Sequence, residues 1–449
     1  MYKLILAIRY LVKRRITYLA MLAVALCVFM VVVVMTVMTG LVHDFKTKNH
    51  NWVGDCVISR DSMVGFSYYE EFIEILQEQT FVEAVSPVIK SYGILTADGS
   101  QRNNSVEIMG LDPARHCKVT RFGESLYYHK SRCEDMFKPT YEPNFPGCVL
   151  GIDKALTRDQ RGNYTQAPNL PVFSLVISCF PLTPKGALAK AGLGLVNTKT
   201  FYYSDNSHTG LAKVDRALVY LPFEQAQLLC GMGGTEKRAS AIHVKFKPNI
   251  KLQAGCDSVA QLWARFKVTK AGEKRAGLLE SVSVESWKGY RRSAIAAVEN
   301  EQMMMMVVFA MIGIIAVFIV FVVFYMIVSH KSKDIGILKS IGVSRTNLIS
   351  LFLNFAFLVG LFGSAVGSFG GWLFLMKINR IEDWLFRQFE FQLWDRTLYA
   401  IGDIPNAIDL KVLTGIILSA ILACLIGALV PSWQAAKLQP VKTLQVDQL

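Results

Sequence analysis

Four long runs without a charged residue limit what this chain can fold into. They are Ile16–Val42, Gln302–Ser329, Asn347–Met376 and Val412–Ala436. Each run exceeds the roughly 20 apolar residues that a helix needs to cross the hydrocarbon core of a bilayer. The sequence therefore predicts four transmembrane helices with these bounds, and one large extramembrane domain, residues 43–301, between the first two.

The distribution of lysine and arginine predicts the side of the membrane on which each connecting segment lies. Cytoplasmic segments keep an excess of these cations. Residues 1–15 carry five of them and no acidic residue, and residues 330–346 are also basic, whereas residues 377–411 balance cations with acids. We therefore expect 1–15, 330–346 and the tail 437–449 in the cytoplasm, and the large domain and the 377–411 loop outside.

The formal net charge of +13 does not indicate a nucleic-acid partner. Much of the excess lies in the N-terminus and in residues 330–346, where anionic lipid headgroups attract cations. The sequence has no aromatic-interleaved basic stretch and no recognised nucleic-acid motif. Membrane lipids, and no nucleic acid, are the expected partners of this charge.

The cysteines point to an oxidising environment without defining any bond. Seven of the nine lie in the predicted outer domain: Cys56, Cys117, Cys133, Cys148, Cys179, Cys230 and Cys256. Because seven is odd, at least one stays free or pairs between chains, and spacing alone does not select the pairs. The chain lacks Cys-x-x-Cys and His-Glu-x-x-His patterns, so we expect no metal site.

The sequence also lacks the motifs of an enzyme. Neither the Gly-x-Ser-x-Gly elbow nor the Gly-x-x-x-x-Gly-Lys-Ser/Thr phosphate cradle occurs, and the glycine-rich stretch Gly231–Lys237 has the wrong spacing. We expect no cofactor on this chain. Energy for any mechanical work must then come from a second polypeptide on the inner side.

Periodicity predicts an α+β fold for the outer domain. The predicted strands are Asp55–Ser59, Val82–Leu95, Ser105–Met109, Phe173–Cys179, Phe201–Tyr203, Ala217–Leu221, Ala241–Phe246 and Ser281–Trp287, and the predicted helices are Tyr69–Gln79, Phe223–Leu229 and Ser258–Phe266. The early and late elements form two strand–helix–strand halves that we expect to pair into one lobe at the membrane. Residues 112–215 between them form a second, mostly β lobe.

Two helical segments continue from the second transmembrane run. No Gly or Pro separates Arg291 from that run, so a helix over Ser293–Ser329 would be about 55 Å long at about 1.5 Å per residue. It either transmits motion or is a long helix that packs against the domain. On the inner side, Ile337, Leu338 and Ile341 predict a short amphipathic helix, which either docks in a partner's groove or lies on lipid.

The inner segment resembles a known family. Its residues Lys333-Asp334-Ile335-Gly336-Ile337-Leu338-Lys339-Ser340-Ile341-Gly342-Val343-Ser344 are similar to the segment after the second span in ABC permeases of the MacB/FtsX/LolC–LolE superfamily. The likeness continues through Gly360–Gly371, Pro405 and Pro431–Ala436. In the outer domain, the following stretches are most like LolC/LolE lipoprotein-releasing permeases: Val106–Pro113, Gly151–Leu156 and Tyr220–Leu229. The stretches Cys117–Pro146 and Arg158–Pro168 depart from the family's pattern.

The resemblance implies partners and the residues that contact them. A cytoplasmic ABC ATPase, which holds the ATP and magnesium, would couple to Lys333, Asp334, Ile335, Gly336, Ile337, Leu338, Lys339, Ile341 and Gly342. The outer domain would be a two-lobed MacB-like periplasmic core. A periplasmic lipoprotein carrier would bind a protruding loop at Pro181, Pro184, Lys185 and Gly186, although a plain hairpin connection also fits that segment.

A stripe of glycines predicts close helix packing in the third transmembrane helix. Gly363, Gly367 and Gly371 recur every fourth residue, a spacing that lets two helices approach closely. The partner helix belongs either to the same chain or to another subunit. The resemblance implies a second permease, either another copy or a paralogue.

The function implied by the resemblance is transport rather than catalysis. The chain would be a permease of the bacterial inner membrane that uses ATP hydrolysis by its partner to release lipoproteins toward a carrier. Acyl chains then need an apolar surface, for which the candidates are Val37, Met38, Met303, Met304 and Val307, or these are ordinary lipid-facing positions. The alternatives are a MacB-like efflux or mechanotransmission permease and an FtsX-like regulator of a cell-wall hydrolase.

Overall fold

The computed structural model describes residues 15–97, 103–130, 132–139, 141, 143–159, 164, 172–189, 196–234, 237–330, 332–391 and 403–438. The chain divides into two compact units. The helical unit comprises Met1–His43, Ala297–Trp394 and Asp403–Leu449. The mixed unit comprises Asp44–Ala296 and Asp395–Gly402.

Helices and strands are numbered along the chain. The helices are α1 Arg15–Val53, α2 Tyr69–Gln77, α3 Pro113–Val119, α4 Phe122–Ser125, α5 Ile152–Ala155, α6 Ala212–Ala217, α7 Phe223–Leu229, α8 Leu252–Thr269, α9 Gly277–Glu280, α10 Trp287–Tyr290, α11 Arg292–His330, α12 Ser332–Ser340, α13 Arg345–Phe389 and α14 Leu410–Lys437. The strands are β1 Cys56–Arg60, β2 Phe66–Ser67, β3 Val82–Ala97, β4 Asn103–Leu111, β5 Gly147–Gly151, β6 Ser174–Cys179, β7 Asn197–Ser207, β8 Leu218–Pro222, β9 Arg238–Ala239, β10 Ala241–Phe246 and β11 Val282–Ser286.

Among the residues that the structure describes, four helices, α1, α11, α13 and α14, are long and apolar enough to cross a membrane. The predicted fold class, four such helices with a mixed α+β domain, is confirmed. The helices extend past the apolar runs because polar residues continue the helical backbone: α1 runs on to Val53, and α11 already starts at Arg292. The 39 residues of α11 form one helix without a break, as the pattern after Arg291 predicted.

The glycine stripe of α13 packs against α1 of the same chain. A Cβ atom built on Gly367 would lie 2.4 Å from the carbonyl oxygen of Ala25, and one on Gly363 would lie 2.9 Å from Val24 Cγ1. Gly371 faces Val32 in the same way. The absence of side chains lets the two backbones approach. Of the two partners that the sequence left open, the structure places the one within the chain against this stripe.

One nine-stranded sheet organises the mixed unit, in the order β11-β1-β10-β3-β4-β8-β5-β7-β6. One edge of β3 pairs antiparallel with β10 through Val82–Val88 and then with β6 through Gly93–Ala97. Its other edge pairs with β4. Because β6 returns to β3, the strands β3, β4, β8, β5, β7 and β6 close into a ring. The two predicted lobes therefore share one sheet, in which β3 belongs to both.

Aromatic side chains join α2 and α8 into the core of the mixed unit. Phe72 of α2 lies edge-on to Trp263 of α8 with ring centroids 4.7 Å apart, and Phe266 lies 5.1 Å from Phe72. Helix α8 begins at Leu252, six residues before the predicted Ser258. The prediction was late because a glycine interrupts the apolar pattern, whereas that glycine, Gly255, is itself buried on the packed face.

The cysteines of the mixed unit are partly bonded. Cys117 and Cys133 form a disulfide. The other five in this unit are free and buried: Cys56, Cys148, Cys179, Cys230 and Cys256. The odd count had predicted that at least one of the seven stays free or pairs between chains, and five of them are free in this structure.

Candidate functional site

Helix α12 presents an apolar surface on one side and is anchored on the other. Ile335 is buried, whereas Ile337 and Ile341 are 48% and 76% exposed. These two residues are four positions apart, so they lie on one face of a helical turn. Of the predicted coupling residues, Ile335 and Gly336 therefore face inward, and the side chain of Lys333 lies outside the described part of the structure.

Lys339 ties α12 to the end of α14. Its Nζ donates hydrogen bonds of 2.7 Å to the carbonyl oxygens of Ala436 and Leu438. Partial desolvation and then Arg345 lower the pKa of the Lys339 ammonium group. Gly342, at φ +97°, makes the turn into α13, a conformation that other residues rarely adopt. Helix α12 is thus connected to α14 through Lys339 and to α13 through Gly342.

The loop predicted to contact a carrier projects from the end of β6 as a small hairpin. Its described part is residues 180–189, since residues 190–195 lie outside the description. The amide of Thr183 donates to Ala187 O at 2.8 Å, and Gly186 turns the chain at φ +82°. Lys185 is exposed, and Leu188 is 50% exposed. The tip therefore offers a cation and an apolar side chain to solvent.

A buried arginine holds the base of this loop. Arg238 is 2% exposed, and its guanidinium donates to the carbonyl oxygens of Val64, Leu182 and Gly231 at 2.7–2.9 Å. Pro181 is buried against Gly231, where an added Cβ would lie 2.7 Å from the Pro181 Cβ. The loop therefore rises from a rigid base.

An apolar groove of about 340 Å³ lies in the helical unit between α1, α11 and α14. Met35, Met306, Phe309 and Cys424 are among its lining residues. The predicted acyl-chain residues do not line this groove. Met303, Met304 and Val307 are 58–69% exposed on α11, and Val37 packs partly buried against the core of the unit, and Met38 is likewise half-buried. None of the five predicted residues is thus among those that line this groove.

Sequence analysis missed a second, larger cleft in the mixed unit, with a volume of about 1090 Å³. The Nζ of Lys90 hydrogen-bonds the hydroxyl of Tyr290 and lies 5.6 Å from the ring of Trp52. Arg291 stacks over the same Trp52 ring at 5.0 Å and donates to Asn49 at 2.7 Å. Desolvation lowers the pKa of Arg291. The cleft therefore combines cationic and aromatic side chains with the carboxylates of Asp61, Glu107 and Glu285.

No local signal in the sequence could have found this cleft. Lys90 and Tyr290 are 200 residues apart, and neither belongs to a motif. They meet because Lys90 lies on β3, whereas Tyr290 ends α10, which follows the sheet's edge strand β11.

Two family models match the chain. Residues 306–440 match the model described as FtsX-like permease C-terminal, and residues 17–125 match the model described as MacB-like periplasmic core domain. The first covers most of α11 and all of α12–α14, and the second covers most of α1 and the first strands of the mixed unit.

Relatives match nearly the whole length. The chain is 22% identical over 437 residues to the lipoprotein-releasing system transmembrane protein LolC of Neisseria meningitidis, covering 96% of this chain and 94% of that protein. The protein of the same name from Xylella fastidiosa is 22% identical over 447 residues, with 98% of each covered.

Solved structures that match are extramembrane domains. The periplasmic region of MacB from Actinobacillus actinomycetemcomitans is 13% identical, with 55% of this chain and 95% of that chain covered and a TM-score of 0.31. The extracellular domain of the transporter YknZ from Gram-positive bacteria is 11% identical, with 52% and 98% covered and a TM-score of 0.27.

Proposed function

We propose that this chain is an ABC transporter permease of the MacB/FtsX superfamily, whose models match its two parts, and that it releases lipoproteins from the bacterial inner membrane toward a periplasmic carrier. In this proposal a partner ABC ATPase binds and hydrolyses ATP with its magnesium ion. The chain itself is a multi-pass transport protein similar over nearly its whole length to LolC proteins.

The observation that supports release over the alternatives is the extent of that likeness. The alignments with LolC proteins run through the mixed unit as well as the membrane helices. The match to the MacB-like model, by contrast, ends at residue 125. A MacB-like efflux permease and an FtsX-like regulator remain the competing functions.

Extraction of a lipid-anchored protein requires a source of energy and an apolar surface that binds the acyl chains. Moving an acyl chain into water costs about 0.8 kcal/mol for each CH₂ group, so extraction of a lipid anchor needs the energy of ATP hydrolysis. The exposed pair Ile337 and Ile341 on α12 supports a docking surface for the ATPase. The groove between α1, α11 and α14 supports the proposal that an acyl chain binds there.

The proposed arrangement places both termini and α12 in the cytoplasm and the mixed unit in the periplasm. The carrier would bind the hairpin that contains Pro181, Pro184, Lys185 and Gly186, of which Lys185 and Gly186 are exposed and Pro181 is buried at the base. A second permease, a copy or a paralogue, would cover part of α11. Only 11% of the most apolar stretch of this helix is buried within the chain.

Depletion of the protein tests the proposed function. Cells are labelled with radioactive palmitate, the inner and outer membranes are separated, and the lipoproteins in each are quantified. We expect outer-membrane lipoproteins to accumulate in the inner membrane, and a wild-type copy to restore their distribution. Normal sorting in depleted cells would reject lipoprotein release, and normal sorting with new sensitivity to toxic compounds would favour efflux.

A further inference from the structure

Four of the five free thiols in the mixed unit face one another in two pairs. The Sγ atoms of Cys179 and Cys230 lie 3.7 Å apart. Cys56 of β1 and Cys256 of α8 are buried in one core cluster, and their side chains interact with each other. Cys148, the fifth, is fully buried and is not disulfide-bonded.

The first pair is enclosed by protein. Cys179 is 0% and Cys230 2% exposed. Besides Cys230, the Sγ atom of Cys179 contacts Ser91 Oγ at 3.4 Å and the carbonyl oxygen of Tyr92 at 3.4 Å. A disulfide needs an S–S distance of about 2.05 Å. Side-chain rotation of two facing thiols can supply the remaining approach of less than about 2 Å.

The same pair joins two elements that are distant in the chain. Cys179 is the last residue of β6, and Cys230 caps the C-terminus of α7. Pro181, two residues after Cys179, lies against Gly231, the residue after Cys230, where an added Cβ would be 2.7 Å from the Pro181 Cβ. A bond here would fasten the base of the 180–189 hairpin to α7.

We propose that Cys179 and Cys230 form a disulfide bond in the mature protein, and that Cys56 and Cys256 form a second one between β1 and α8. Each bond forms as two thiols release two protons and two electrons. The acceptor is the disulfide of a thiol–disulfide oxidoreductase in the compartment of the mixed unit, which is reduced to two thiols. Cys148 remains the unpaired member of the seven.

The chemistry of the first pair favours this exchange. The hydrogen bond with Cys230 lowers the pKa of Cys179 to about 7, and burial together with the same hydrogen bond raises the pKa of Cys230. A thiol of lowered pKa exchanges more readily, since the thiolate is the form that attacks a disulfide. Because both sulfurs are buried in the folded unit, the oxidant reaches them before the sheet closes around them.

The bond would have a mechanical consequence that rests on the proposed function. If the 180–189 hairpin binds a carrier, a covalent base transmits its movement directly to α7 and the sheet. The disulfides depend on the proposed periplasmic location of the mixed unit, but not on what the protein transports.

Alkylation and mass spectrometry test the bonds in the full-length chain. Bacterial membranes are solubilised in N-ethylmaleimide, the denatured protein is digested without reductant, and the peptides are identified. We expect Cys179 linked to Cys230 and Cys56 linked to Cys256, with Cys148 alkylated. Alkylated Cys179 and Cys230 would overturn the proposal. Cys117–Cys133 is the internal positive control, and this conclusion is the same whether that pair is bonded or alkylated. Lipoprotein sorting does not enter this measurement.

Thermal unfolding of variants gives a second test. In Cys179→Ala, Cys230→Ala and the double variant, the same bond is lost, so all three should melt about 5–10 °C below the wild type. Cys148→Ala controls for the loss of a buried thiol that is not bonded. Effects of the two single variants that add up in the double variant would show independent thiols and contradict the bond.

Discussion

At the scale of single residues, two buried histidines determine how the mixed unit responds to acid. The rings of His116 and His243 lie 5.8 Å apart, and both are fully buried. Burial, followed by the nearby charge of Lys90, lowers the pKa of His116 to about 3. Burial, Lys90 and His116 lower the pKa of His243 well below its usual value. Both rings are therefore neutral in the folded protein.

We expect the mixed unit to lose stability as the pH falls below about 6.5. In the unfolded chain a histidine gains a proton near pH 6.5, whereas the folded His116 does not, so acid favours unfolding. By pH 5 the loss is about 2 kcal/mol for each histidine. His116→Phe, which keeps an aromatic ring beside Phe122, should flatten the decline of Tm between pH 7 and pH 5. Identical declines in both proteins would show that His116 is not responsible.

At the scale of elements, the contact between α1 and α13 depends on glycines at particular positions. A Cβ atom added to Gly367 would lie 2.4 Å from the carbonyl oxygen of Ala25. For Gly370, three residues later in α13, the one atom of the described residues within 4 Å of an added Cβ, outside the α13 backbone, would be Phe29 Cδ2, at 3.6 Å. Both are glycines in one helix, but only the first is needed for the helices to approach.

Gly367→Ala should therefore destabilise the helical unit, by about 1–3 kcal/mol, because the methyl group forces the backbones apart. Gly370→Ala is the matched control, and it should leave stability unchanged or raise it slightly, since alanine favours a helix by about 1 kcal/mol. Thermal unfolding of both variants in detergent checks this. Equal melting temperatures would mean that the stripe tolerates a side chain.

A second prediction concerns the docking of the ATPase on helix α12. Replacing both exposed isoleucines, Ile337→Asp with Ile341→Asp, should reduce the copurifying ATPase at least about tenfold, because apolar anchors dominate docking energies. Val268→Asp, at a 77% exposed position of α8, is the control for an added surface charge. The melting temperature should not change in either protein. Undiminished ATPase recovery with the double variant would remove α12 from the interface.

At the scale of the whole molecule, the proposed function requires α12 and the mixed unit to lie on opposite faces of the membrane. Ser340 at the end of α12 and Thr269 at the end of α8 are both exposed, and each tolerates a cysteine without loss of a buried contact. In spheroplasts, a membrane-impermeant maleimide should label Thr269→Cys at once and Ser340→Cys only after permeabilisation. The wild-type chain measures the background of its own cysteines. Simultaneous labelling of both positions in intact spheroplasts would contradict any coupling across the membrane.

Strand β7 shows why part of the fold escaped sequence analysis. The apolar pattern predicted only Phe201–Tyr203, whereas the strand continues through Ser204, Asp205 and Asn206. These polar residues are fully buried. The carboxylate of Asp205 accepts hydrogen bonds from the amides of Tyr127, Tyr128 and His129, and so its burial is compensated by a distant segment. No periodicity within β7 records those partners.

Sequence analysis was sufficient to predict the four membrane helices, the mixed domain between the first two and the amphipathic helix α12. These follow from the length and period of apolar runs, which are local properties. Four features are visible in the tertiary structure alone: the glycine stripe packs against α1, β3 pairs with β6, Lys90 contacts Tyr290, and four of the free thiols of the mixed unit lie in pairs. Each of these depends on which remote segments meet, and that is set by the packing of the whole chain rather than by any stretch of it.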